Sequence, residues 1–226
     1  MTIDLWFPTA IYHEDLKPTQ HTKDRMIEYF DSIHHETDIK DGRYSGDIHQ
    51  NYQLFNDSRF HWLNTEVSFH CKKFLSAFNV DVDKISIYAS KAWPVIIKQG
   101  GDIFRHTHPN SVLSVVYYPQ SSNPLNGGKL KFHSPNPRHM PVHPEELNDL
   151  TYSDTLYVPE EGRLFIFPSH IEHEVERYHG MTPRYSISYD IIVTSSNSKH
   201  NNEFAIIDPY TWKNIDPVNT LSLIHI

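Results

Sequence analysis

From residue 85 onward the chain is cut into short runs of β-branched and aromatic residues, each closed by turn chemistry, and no other feature constrains the fold as tightly. The runs are ISIYASKAWPVIIKQ (85–99), VLSVVYYP (112–119), KLKFH (129–133), TLYV (155–158), RLFIF (163–167), HEVERY (173–178) and RYSISYDIIV (184–193). Gly100-Gly101, Asn-Pro, Asn-Gly-Gly, Pro-Glu-Glu-Gly and Gly-Met-Thr-Pro separate them. Short strands at this spacing predict a mainly β domain, a sandwich or jelly roll. The 13% aromatic content and the mere 8 glycines fit a β-rich core with ordered loops.

Upstream, DLWFPTAIY (4–12) reads as an edge strand, where Pro8 is tolerated. Residues 22–35 place Met26, Ile27, Phe30 and Ile33 on one helical face. A second helix carries Leu63, Val67, Cys71, Phe74, Leu75 and Phe78 at helical spacing. Both are expected to pack on one sheet of the β core, with Cys71 as a small buried hydrophobe. The polar stretch 36–58 has no clear period. One domain is therefore expected over 1–194, with helical support in 20–80 and the jelly-roll core in 85–193. A C-terminal extension over 195–220 follows, opening with the polar SSNSKHNN (195–202). The final LSLIHI (221–226) is what one reading frame of a common sequencing-library adapter encodes, so it is expected to be read-through without function.

Composition closes off several classes. The formal net charge is −8 and no basic run appears, which argues against a nucleic-acid binder. No apolar run approaches the roughly 20 residues of a membrane span. The start MTIDLWFPTAIY has neither the basic head nor the apolar core of a signal peptide. The single cysteine allows no internal disulfide, so a stapled secreted scaffold is excluded and a cytoplasmic location is expected.

The 17 histidines direct attention to metal chemistry. His106 and His108 are two apart in an extended segment, so both imidazoles can reach one ion. His173 opens a later strand after the buried run RLFIF, where it can supply a third ligand across a barrel mouth. Arg184, Ser186 and Ser188 share one strand face. A guanidinium turned into a barrel is costly to bury without an anion, and a carboxylate is its natural partner.

The order of these elements is H-x-H, S-x-x-Y-Y, G-G-x-L-x-F, P-x-x-G-R-L-x-x-F, a lone His, then R-x-S-x-S. It resembles that of the iron(II)- and 2-oxoglutarate-dependent oxygenases. The likeness is strongest to a group from phages and marine bacteria, related to the prolyl-hydroxylase type, and it spans roughly 85–193. It implies a double-stranded β-helix, that is, a jelly roll. It implies iron(II) held by His106, His108 and His173, and 2-oxoglutarate held by Arg184 with Tyr118, Ser186 and Ser188. No catalytic residue is implied beyond the metal ligands. The implied reaction hydroxylates an unidentified substrate, a small molecule or a protein side chain, and releases succinate and carbon dioxide.

One position departs from the usual triad of two histidines and a carboxylate, because His108 stands where an Asp or Glu is expected. Asp102, Glu172 and Glu174 are the displaced carboxylates nearest in sequence, although alternation turns both glutamates away from His173. His133 is a further candidate for the pocket wall. Two other readings stay open: a three-histidine, cupin-like dioxygenase that does not use 2-oxoglutarate, and a non-catalytic jelly-roll binding module. Substrate contacts are expected from the long Pro-rich loop 134–154 and from 36–58.

Overall fold

The structure is a computed structural model and describes residues 8–36, 39–120, 123–135, 145–146, 151–197 and 209–213. The start of the edge strand expected at 4–12, most of the loop 134–154, much of the C-terminal extension and the suspected read-through at 221–226 lie outside the described residues.

In chain order the elements are β1 (Tyr12–Asp15), α1 (Gln20–Glu36), β2 (Arg43–Ser45), α2 (His61–Ser76), β3 (Ile85–Ile97), β4 (Ile103–His106), β5 (Leu113–Tyr117), β6 (Leu130–His133), β7 (Asp154–Tyr157), β8 (Arg163–Pro168), β9 (His173–Val175) and β10 (Arg184–Ser195). The strands form two antiparallel sheets. One is six-stranded in the order β1-β8-β5-β10-β3-β2, and the other is four-stranded in the order β4-β9-β6-β7. This is the jelly-roll layout expected from the strand spacing. β1 lies at a sheet edge as expected, but it begins only where the predicted run ends. β2 was not legible in 36–58, because three residues are too few to show a period. It pairs with the end of β3, Tyr44 opposite Ile96.

The helices start and stop for local reasons. The Thr19 hydroxyl accepts from the Thr22 amide at 3.2 Å and caps α1. α2 ends where Asn79 takes a left-handed φ of 59°, a conformation that asparagine tolerates better than most residues. Phe78 therefore leaves the helical face predicted for it and is 53% exposed.

Strand alternation sorts the six-stranded sheet into two faces. Val115, Tyr117, Leu164, Ile166, Tyr185, Ile187, Tyr189 and Ile191 pack against Met26 and Phe30 of α1 and Leu63, Val67 and Phe74 of α2. Their sequence neighbours Val116, Tyr118, Phe165 and Phe167 face the other sheet and meet Leu130 and Phe132. With both faces covered, β5 is buried along its whole length. This explains why VLSVVYY shows no apolar–polar alternation. Cys71 is fully buried, and burial pushes its thiol up to about 12, so it serves packing as predicted.

β10 is clamped by both helices. Tyr185 stacks on Phe30 with ring centroids 4.7 Å apart, and its hydroxyl donates to Asp31 of α1 at 2.7 Å. The Tyr189 hydroxyl donates to Asn64 of α2 at 3.0 Å. Close backbone approach fixes the entry to β4: a Cβ on Gly101 would lie 2.1 Å from the Gly42 carbonyl oxygen.

Replacing Phe30 with Ala should lower stability by about 3–5 kcal/mol, as for other buried Phe truncations. Urea unfolding of the two proteins measures this. A loss under about 1 kcal/mol would show that α1 contributes little to holding β10.

Candidate metal centre

The four strands β4, β9, β5 and β10 bring the chemistry together. In the antiparallel pairing of β4 with β9, His106 lies directly opposite His173, and their ring centroids are 4.3 Å apart. His108 follows just beyond the end of β4, where its amide donates to the Ser169 carbonyl at 3.0 Å. Its ring lies nearly parallel to that of His173, 5.1 Å away at 8°, and Trp93 of β3 packs beside it at 5.8 Å. One ligand atom from each of His106, His108 and His173 falls within 4.8 Å of the others. Among the described residues this is the one such cluster.

The far nitrogen of each ring decides the tautomer. His106 Nδ1 donates to the Phe104 carbonyl at 2.7 Å, and His173 Nδ1 donates to the Ile171 carbonyl at 2.9 Å. A carbonyl oxygen only accepts, so both protons sit on Nδ1 and both Nε2 lone pairs are free. His108 Nδ1 lies 2.7 Å from Oδ1 of Asp190, a close contact but not one aligned as a hydrogen bond. The Nε2 atoms of His108 and His173 face each other across 3.3 Å, where a proton on His108 Nε2 can be donated to the His173 lone pair. An ion held by both rings would take the place of that proton. Two ligands bonded at about 2.1 Å to one ion stand about 3.0–3.4 Å apart for right-angle to tetrahedral geometry. Burial lowers the pKa of His106 and takes that of His173 down to about 3, with the neighbouring imidazoles adding to the effect at His173. Both rings are thus neutral, the form a metal requires.

A cavity of about 570 Å³ opens onto these rings. Arg184 lies in its wall and is only 2% exposed. Its Nη2 donates to the Tyr118 hydroxyl at 2.9 Å, while Nε and Nη1 are buried with no hydrogen-bond partner. Among the described residues no carboxylate pairs with it. Tyr118 is fully buried and its pKa is raised, burial outweighing the pull of the guanidinium. Because its oxygen accepts from Arg184, its own proton is free to be donated. Two guanidinium nitrogens and one phenol proton therefore await an acceptor, and an anion such as a carboxylate answers that need. Ser186 and Ser188 also line the cavity. Gly128 makes room for the Arg184 stem: a Cβ there would lie 3.3 Å from Arg184 Cδ and 2.9 Å from the Tyr178 ring.

The three carboxylates nearest in sequence are engaged elsewhere. Asp102 lies 3.8 Å from Arg43, Glu172 pairs with Arg105, and Glu174 lies 3.4 Å from Lys131. His133 lies 3.4 Å from Glu174 and is not among the residues lining the cavity. The carboxylate that does reach the histidines is Asp190. Its signal was the same alternation that joined Arg184, Ser186 and Ser188, carried one step further along β10. From 36–58, Arg43, Ser45, Asp47 and Ile48 reach the cavity mouth.

Residues 91–190 match the model of a protein family described as putative 2OG-Fe(II) oxygenase. No curated protein matches the sequence. Among solved structures, the fold is similar to that of a Pseudomonas putida prolyl-4-hydroxylase, with 12% identity over 81% of this chain and 92% of that one at a TM-score of 0.53. It is similar to a viral collagen prolyl hydroxylase from Paramecium Bursaria Chlorella virus-1 in its 2-oxoglutarate complex, with 10% identity over 80% and 94% at 0.52. HygX from Streptomyces hygroscopicus, with nickel and 2-oxoglutarate bound, gives 8% identity over 81% and 82% at 0.55. At such identities the likeness is one of fold.

Replacing His173 with Ala leaves two imidazoles, too few to hold a divalent ion well. Titration with cobalt(II) should show uptake lost in that variant and kept in His133→Ala. Equal uptake in both would remove His173 from the centre.

Proposed function

We propose that the protein, whose residues 91–190 match that family model, is an iron(II)- and 2-oxoglutarate-dependent hydroxylase. The observation that carries this reading is a buried guanidinium with two unpartnered nitrogens in the same cavity as three convergent imidazoles. The cofactor pair supplies oxidative decarboxylation coupled to C–H hydroxylation: 2-oxoglutarate and O2 yield succinate and carbon dioxide, and one oxygen atom ends on the substrate.

The chain's own residues have distinct tasks in this reading. His106, His108 and His173 present neutral Nε2 donors to the ion. Arg184 receives the distal carboxylate of 2-oxoglutarate through its guanidinium, with the Tyr118 hydroxyl donating alongside. Ser186 and Ser188 add hydroxyls on the same face. Val116 and Leu130 bound this end of the cavity with hydrocarbon and keep water from the ion pair, which strengthens it. At the other end the substrate enters past Ile48 and Phe104, which are 70% and 69% exposed. Arg43 stacks over Phe104 with its Cζ 4.6 Å from the ring centroid. The mouth therefore offers apolar surface beside the Arg43–Asp102 pair and Asp47 to a small molecule or a protein side chain.

The substitution of His108 for a carboxylate favours a second reading, a three-histidine dioxygenase in which Arg184 grips a carboxylate of the substrate itself. Aerobic assays of the iron(II)-loaded protein separate the two. The hydroxylase binds 2-oxoglutarate and releases succinate. Oxygen uptake that proceeds without 2-oxoglutarate would instead establish the second reading.

Arg184→Ala should weaken 2-oxoglutarate binding by on the order of 2–5 kcal/mol, the usual cost of losing one member of a buried charged pair. Metal affinity should stay within a few-fold of wild type. Calorimetric titration of each ligand measures both quantities, and an unchanged 2-oxoglutarate affinity would sink the assignment of Arg184.

A further inference from the structure

The three imidazoles are not backed alike. His106 and His173 donate their Nδ1 protons to neutral peptide carbonyls, of Phe104 and Ile171. Only His108, at the position where a facial triad carries its carboxylate, has a carboxylate behind it. That group is Asp190, whose Oδ1 lies 2.7 Å from His108 Nδ1. We propose that Asp190 is the positioning residue of this metal centre: acting through His108, it supplies from one ring further out the negative charge that a triad carboxylate would supply directly. The proposal deepens the hydroxylase reading and rests on it for the identity of the metal site.

Several observations converge. Asp190 is 9% exposed, and its Oδ1 is buried without a hydrogen bond, 2.7 Å from His108 Nδ1. Among the described residues no lysine or arginine pairs with it. A buried carboxylate with no cation is strongly disfavoured. Three neutral imidazoles around a dication leave two positive charges uncompensated. Each problem answers the other when the proton of His108 Nδ1 lies between them, because a carboxylate behind a ligating histidine both orients the ring and raises its basicity.

Asp190 is also held where this needs it. It ends the inward-facing series Arg184, Ser186, Ser188 on β10, and the strand register bulges immediately after it. Its own carbonyl accepts from the Ser90 hydroxyl at 3.2 Å, and the preceding Tyr189 is anchored to α2. The other side of the His108 ring is confined by Trp93 and His173. The ring thus has little freedom except along the line to Asp190.

Cobalt(II) titration of the apoprotein tests this in a double-mutant cycle of Asp190→Asn and His108→Asp. With His108 in place, D190N should weaken cobalt binding by about 10- to 100-fold, as loss of such a supporting carboxylate does elsewhere. In the H108D background the ligand itself carries the charge, so D190N should leave affinity unchanged or tighten it by relieving repulsion between two carboxylates. An equal loss in both backgrounds, or none in the first, would overturn the assignment.

A spectroscopic arm does not depend on H108D taking up metal. The cobalt-loaded protein should show exchangeable, hyperfine-shifted Nδ1–H proton resonances from its histidines. D190N should move one of them and leave the others in place. If none moves, Asp190 has no part in the centre. A wild-type protein that takes up no cobalt would overturn the hydroxylase reading together with this one. Wild-type uptake that D190N matches would overturn this one alone.

Discussion

Strand β10 is a single run of backbone on which two incompatible surfaces must be kept apart, and the alternation of side chains does so. Tyr185, Ile187, Tyr189 and Ile191 enter the helical layer, while Arg184, Ser186, Ser188 and Asp190 enter the cavity. A slip of one residue in the register would exchange these sets. It would bury a guanidinium and a carboxylate against α1 and α2 and turn two tyrosines onto the metal-binding rings. The register is pinned at two points along the strand, by Tyr185 on Phe30 and Asp31 and by Tyr189 on Asn64. The geometry of the centre is thus inherited from packing on the opposite side of the sheet.

The four-stranded sheet contributes the other half. Antiparallel pairing of β4 with β9 places His106 and His173 opposite each other, and the turn after β4 brings His108 alongside. Nδ1 protons directed outward to Phe104 and Ile171 turn the Nε2 lone pairs of His106 and His173 inward. Carbonyls can only accept, so the backbone chooses the tautomers of these two rings. The burial that keeps His173 neutral also removes water as a competing partner for its Nε2.

Much of this was readable from the chain because it obeys local rules. The runs after residue 85 predicted the β core, both helices appeared within a few residues of their expected spans, and His106, His108, His173, Arg184 and Tyr118 do meet in one cavity. What escaped has physical reasons. β2 is only three residues long, too short for a side-chain period to mark it. Phe78 kept the helical spacing but fell beyond the helix end, where Asn79 turns the chain. Asp102, Glu172 and Glu174, close in sequence to His106 and His173, find basic partners of their own, whereas Asp190 comes from a strand distant in sequence that only the sheet order brings alongside.

The division of labour between the two faces of the large sheet explains how a centre so rich in polar groups is tolerated. The apolar cluster between the sheets is small and is built around Phe132, Phe165 and Phe167. A polar stripe along β10 takes up the remaining space. The helical side carries the larger cluster, which runs from Leu16 through α1 and α2 to Ile191. Burial of apolar area there contributes on the order of 1.5–3 kcal/mol for each fully buried large side chain. That gain offsets the cost of holding Arg184 and Asp190 out of water on the other face. With the helical layer, the mouth can remain open and charged, and the residues that face it are free to serve ligands.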